Sequence, residues 1–198
     1  NRDMIPVLLE ALEEQIGNLE NTGTITEQLQ TTEYTKSIVK ELGRLKATEA
    51  ASLIWEIVES VNEPFLLGEA IISLGKVGAK QYTNELNILL RNLNFNLGDI
   101  QDQRKNEILA FSLVTALERL KQPESYSPLF FASTGWYSSR SSVREKAAEA
   151  MLNILDDPIE QLMDVLIESK EYDIKLAALT AGFKSKASDE NKASLAVL

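Results

Sequence analysis

Apolar residues recur along this chain at spacings of three and four, and nowhere alternate with period two for long enough to make a strand. Five stretches fall into one register, starting at Glu33, Phe65, Ile108, Val143 and Ile174. Five residues on from the starts stand Ile38, Ala70, Leu113, Ala148 and Leu179. Nine on stand Leu42, Leu74, Leu117, Leu152 and Phe183, all apolar. Twelve on come Leu45, Val77, Leu120 and Leu155, then Lys186, where the pattern fails. These spacings predict five amphipathic helices with one apolar stripe each.

After each helix comes a short polar break and a second stripe. It holds Leu53, Ile54, Ile57, Val58 and Val61 in the first copy, and Leu86, Leu89, Leu90 and Leu93 in the second. The third is short and aromatic (Leu129, Phe130, Phe131), and the fourth holds Leu162, Val165 and Leu166. IPVLLEALEEQIGNL reads as a second helix whose partner precedes Asn1, and SDENKASLAVL starts a second helix and stops. The prediction is one array over residues 1–198: a partial repeat and linker over 1–32, then repeats from near 33, 65, 108, 143 and 174, the last incomplete. Asp157-Pro158-Ile159-Glu160, Ser142 with Glu145, and Asn62 with Pro64 read as helix starts. A two-helix unit of this length cannot bury its stripe alone, so the units stack.

PFLLGEAIISLGKVGAKQYTNELNILLRNL resembles a HEAT repeat of the short bacterial kind also found in phycobilin lyases. The likeness rests on a first helix ending in A-x-x-x-L-G-x-x-G, a short turn and an L-x-x-L-L run. VKELGRLKATEAASLIWEIVES repeats the L-G-x-L turn, whereas Leu117-Glu118-Arg119-Leu120 and Leu152-Asn153-Ile154-Leu155 lack the glycine. The resemblance implies an all-α fold, a right-handed α-solenoid of antiparallel helix pairs whose second helices line a concave surface. It specifies function poorly.

Composition narrows the chemistry. With no Cys and no His, disulfides, Cys/His zinc sites, thiol nucleophiles and His-based acid–base schemes are absent. The net charge of −10 argues against nucleic acid and anionic membranes as partners. No apolar run reaches the length of a membrane span. A soluble cytoplasmic or periplasmic protein is expected. Since the chain opens on Asn1, a removed signal or anchor before it is compatible with the sequence.

ISLGKVGAKQ, residues 72–81, has the glycines and lysines of a phosphate loop but neither its spacing nor a preceding strand. It reads as a helix C-terminus, with glycine in a left-handed conformation and Lys76 and Lys80 complementing the helix dipole. In STGWYSSRSSVRE, Trp136 and Tyr137 flanked by Arg140 and Arg144 form a candidate binding hot spot. Alternatively, Trp136 folds back over the short third-repeat helix. The insertion LNFNLGDIQDQRKN, residues 93–106, predicts a loop on one face, packed down through Phe95, Leu97 and Ile100. Trp55, Glu56 and Glu59, with Asn87, Ile88 and Arg91 in the next repeat, are candidates for the concave surface; packing between repeats is the other reading of Trp55. The paired acidic residues (Glu13/Glu14, Asp156/Asp157, Asp189/Glu190) read as solvated faces and caps. Asp99, Asp102 and Asn106 lack the spacing of a calcium loop, so no metal site is assigned.

The expectation is a non-catalytic scaffold, without cofactor, that binds another protein on its concave face and loop edge. The candidate contacts are Trp136, Tyr137, Arg140, Arg144, Trp55, Glu59 and Arg91. A phycobilin-lyase-like role with a tetrapyrrole chromophore is the alternative implied by the resemblance. A HEAT-like DNA glycosylase is disfavoured by the acidity.

Overall fold

The computed structural model describes residues 2–20, 23–96 and 98–197. Among the described residues there are eleven α-helices and no strand. They are α1 (Ile5–Glu20), α2 (Ile25–Leu45), α3 (Ala51–Ser60), α4 (Pro64–Val77), α5 (Thr83–Phe95) and α6 (Ile100–Leu120). Then follow α7 (Tyr126–Thr134), α8 (Val143–Ile154), α9 (Ile159–Glu168), α10 (Tyr172–Lys184) and α11 (Asp189–Ser194). Each odd-numbered helix from α1 to α9 packs on the even-numbered one after it. The even-numbered helices α2, α4, α6 and α8 also pack side by side in that order. That series is interrupted after α8, where a cleft separates α8 from α10.

Three of the even-numbered helices end in one geometry. Lys46, Gly78 and Lys121 close α2, α4 and α6 in the left-handed region, with φ of 54°, 78° and 52°. In the first two, the next amide reaches back to form the wider loop: Ala47 N donates to Leu42 O and Ala79 N to Leu74 O. A 3-10 turn follows each cap, over Thr48–Ala50, Lys80–Tyr82 and Pro123–Ser125, and delivers the chain into the next helix. Only Gly78 adopts this conformation without the Cβ clash, which costs an L-residue about 1 kcal/mol.

Gly75 has a different task. A Cβ there would lie 2.7 Å from the Cα of Ala116, so its absence lets α4 and α6 meet backbone to backbone. Gly43 does the same more loosely, where a Cβ would meet Ser73 Oγ at 2.7 Å. Lys76 joins Glu69 in an ion pair at 2.8 Å on α4 itself. Farther along, Lys146 of α8 pairs with Glu118 of α6 at 2.7 Å. Asn153 Nδ2 also donates to Glu118.

Several local expectations are corrected. Helix α2 begins two turns before Glu33, at Ile25, because Thr24 and Glu27 form a reciprocal capping box. The insertion is mostly not a loop: residues 100–106 are the first turns of α6, and Phe95 ends α5 with 70% of its surface exposed. Leu97 and the Ile100 side chain lie outside the described residues. Ser142 does not cap α8; it sits at φ 57°, and Ser141 Oγ accepts from Val143 N instead. Ahead of α4 the cap is Glu63, whose carboxylate accepts from Leu66 N, rather than Asn62. Asp157 Oδ1 does accept from Ile159 N.

The common register also fails in the last two copies. Ile38, Ala70, Leu113, Leu42, Leu74 and Leu117 are all buried, as their stripe requires. In α8 and α10 the buried positions fall one residue earlier: Ala147 and Met151, then Ala178 and Gly182. Ala148 and Leu152 therefore point away from the core, and Phe183 is exposed.

Candidate functional site

Two of the seven sequence-derived candidates are brought together, and they form a buried clamp. Tyr137 is only 2% exposed, and its hydroxyl donates to Asn94 Oδ1 at 2.8 Å. Asn94 Nδ2 in turn donates to Pro128 O. Trp136 is half-buried, with its ring centroid 4.4 Å from that of Tyr137 and its indole N–H on Leu93 O. The pair thus staples residues 136–137 onto the end of α5 and the start of α7. Burial pushes the Tyr137 hydroxyl well above the ordinary tyrosine range, and the nearby Glu107 charge adds to this. The reading of Tyr137 as an exposed anchor is corrected: a ring with a buried acceptor for its hydroxyl is held in the core. Arg140 and Arg144 remain exposed beside it, Arg144 Nε donating to Ser133 O.

The remaining three candidates lie on α3 and α5. Trp55 is half-buried and stacks on Tyr82, centroids 4.6 Å apart and planes 8° from parallel. Tyr82 belongs to the turn that opens α5, and nothing in the periodicity singles it out. Glu59 and Arg91 are exposed, whereas Asn87 is buried, so its proposed place on an open surface is corrected. Along α5, Asn84, Ile88, Arg91 and Phe95 share one exposed stripe at spacings of four, three and four. Ile88 is 47% exposed, and Phe95 sits 5.2 Å from the Phe131 ring of α7. An aromatic contact therefore stands at each end of this stripe, Trp55–Tyr82 and Phe95–Phe131.

A third feature was not visible in the sequence. Between α8 and α10 lies a cleft of about 530 Å³, floored by Tyr126 and Phe130 of α7. Its walls are mainly apolar, with Leu152 (63% exposed) on α8 and Leu176 (50% exposed) on α10. Polar groups stand at the ends, Asp173 where α10 begins and Lys184 and Lys186 where it finishes. Lys186 bridges to Asp156 at 2.8 Å. The one signal in the sequence was that α8 and α10 are apolar on more than one face, which a single stripe does not explain.

Among the described residues no group of three or more acidic side chains is placed to hold a metal ion, and no helix is long and apolar enough to cross a membrane. No protein-family model matches the chain, and no curated protein matches it.

Proposed function

We propose that the chain is a HEAT-like α-solenoid, a non-catalytic module that binds another protein through the face carried by its odd-numbered helices. Two features support the array: the side-by-side packing of α2, α4, α6 and α8, and the shared ending of α2, α4 and α6 at Lys46, Gly78 and Lys121.

The exposed Ile88–Arg91–Phe95 stripe on α5 carries the binding reading. Apolar side chains this exposed on a helix, with an arginine between them and aromatic rings at both ends, match the composition of interface anchors. The net charge of −10 favours a partner with a basic rim around an apolar centre. Arg140 and Arg144 add polar contacts at the loop edge.

The test is affinity capture with the full chain and with an Ile88→Glu, Phe95→Ala variant. Both substituted side chains are exposed, so the melting temperature should fall only by roughly 1–6 °C, from loss of the Phe95–Phe131 contact. A partner held by the natural chain and lost from the variant supports the reading. Equal capture by both would place the interface elsewhere.

A further inference from the structure

The cleft between α8 and α10 is independent of the α5 stripe. Where neighbouring even-numbered helices meet elsewhere, they close on one another: Gly75 lies against Ala116, Gly43 against Ser73, and Glu118 against Lys146. Between α8 and α10 the facing residues Ala148, Ala177 and Ala181 are small, yet the helices stand apart and the gap is apolar. Exposed leucines on opposite walls leave unfavourable apolar surface in water that an occupant would cover.

Size and charge select the occupant. A volume of about 530 Å³ lies within the range of small-ligand sites. An α-helix as long as α10 fills a cylinder of roughly 1,500–2,200 Å³, from its diameter and rise, more than the cleft offers. A slender chain fits. Among the described residues Lys184 has no ion-pair partner, and the Lys186–Asp156 pair is so exposed that a competing anion displaces Asp156 at little cost. Residues 170–198 hold five lysines against four acidic residues, whereas residues 1–169 carry a net −11. The lysine end of the cleft thus lies in a stretch of an acidic chain that is not itself acidic, with Asp156 the acidic side chain lining it there. Asp173 marks the opposite end and disfavours an anion there.

We propose that this cleft binds a medium-chain fatty carboxylate, its head at Lys184 and Lys186 and its aliphatic chain between Leu152 and Leu176 over Phe130. The test is calorimetric titration of the full chain with octanoate, decanoate and dodecanoate below their micellar concentrations, with decanol and decylammonium as controls. Affinity should rise about fourfold with each added methylene. Decanoate should bind more tightly than either control. Lys184→Glu, at an exposed position, should weaken decanoate at least about fivefold and leave decanol unchanged. Leu152→Glu, also exposed, should weaken both decanoate and decanol, decanoate the more because of the added negative charge, and Ala177→Trp should block both by filling the cleft. Ile88→Glu should change none of these titrations, which separates this site from the protein-binding face. Equal binding of all three head groups would overturn the carboxylate assignment. Absence of binding, or binding untouched by Leu152→Glu, would overturn the site.

Discussion

Replacing Gly75 with alanine puts a methyl group 2.7 Å from the Cα of Ala116 and 2.9 Å from its carbonyl oxygen. Those atoms belong to the α6 backbone and cannot rotate away, so α4 and α6 must separate along a contact in the middle of the α2–α4–α6–α8 series. Overpacking of this kind costs about 1–3 kcal/mol. Alanine also favours the helix over glycine by about 1 kcal/mol, which offsets part of it. Because the obstacle is backbone, the upper part of the range applies, and the net loss is about 1–2 kcal/mol. For a chain of this size that lowers the melting temperature by roughly 2–8 °C. Gly17, exposed in α1, is the control: apart from its chain neighbours and its own helix backbone, no described heavy atom lies within 4 Å of its Cβ position. Gly17→Ala keeps the helix gain without the clash and should stabilise by about 1 kcal/mol. Gly43→Ala should fall between, since the Ser73 hydroxyl it meets can turn aside. Thermal melts followed by far-UV circular dichroism, with hydrogen exchange at α4 and α6 as the local readout, compare the three. If Gly75→Ala raised the melting temperature as Gly17→Ala does, the close approach of α4 and α6 would not exist.

Three further outcomes are expected. Tyr137→Phe removes the donor to Asn94 Oδ1 in a buried setting and should cost about 1–3 kcal/mol in urea denaturation; natural stability would show that the hydroxyl does not hold the clamp. Lys121→Gly should stabilise by up to about 1 kcal/mol by relieving a left-handed L-residue, while Gly78→Ala should lose a similar amount, both read from melting temperature. Burial pushes Glu118 up, but hydrogen bonds from Lys146 and Asn153 and the Lys146 charge outweigh it and hold its carboxyl below the ordinary value of 4.5. Its contribution is therefore present above that value and lost as pH falls through the lower folded pKa, so Glu118→Gln should flatten the acid limb of the melting-temperature profile. An unchanged acid limb would remove Glu118 from the account.

The helical periodicity was legible because it is local. Spacings of three and four along Ile38–Leu42, Ala70–Leu74 and Leu113–Leu117 mark a buried stripe whatever covers it, and all six residues are buried. The left-handed end of α4 at Gly78 was legible for the same reason, since backbone stereochemistry alone demands glycine there. Trp136 and Tyr137 were not, because a tryptophan beside a tyrosine in a serine-rich loop looks alike whether it faces water or folds inward. Asn94, 43 residues earlier, decides it by accepting the buried hydroxyl. The sequence by itself determined an all-helical chain, the left-handed turn at Gly78, and the absence of thiol and imidazole chemistry. Tertiary structure decided which apolar faces are covered. Ala148 and Leu152 are as apolar as Ala70 and Leu74, but a one-residue rotation of α8 turns them away from the core and towards α10. Periodicity records how a helix is striped; only the neighbouring helix determines whether a stripe is core or open cleft.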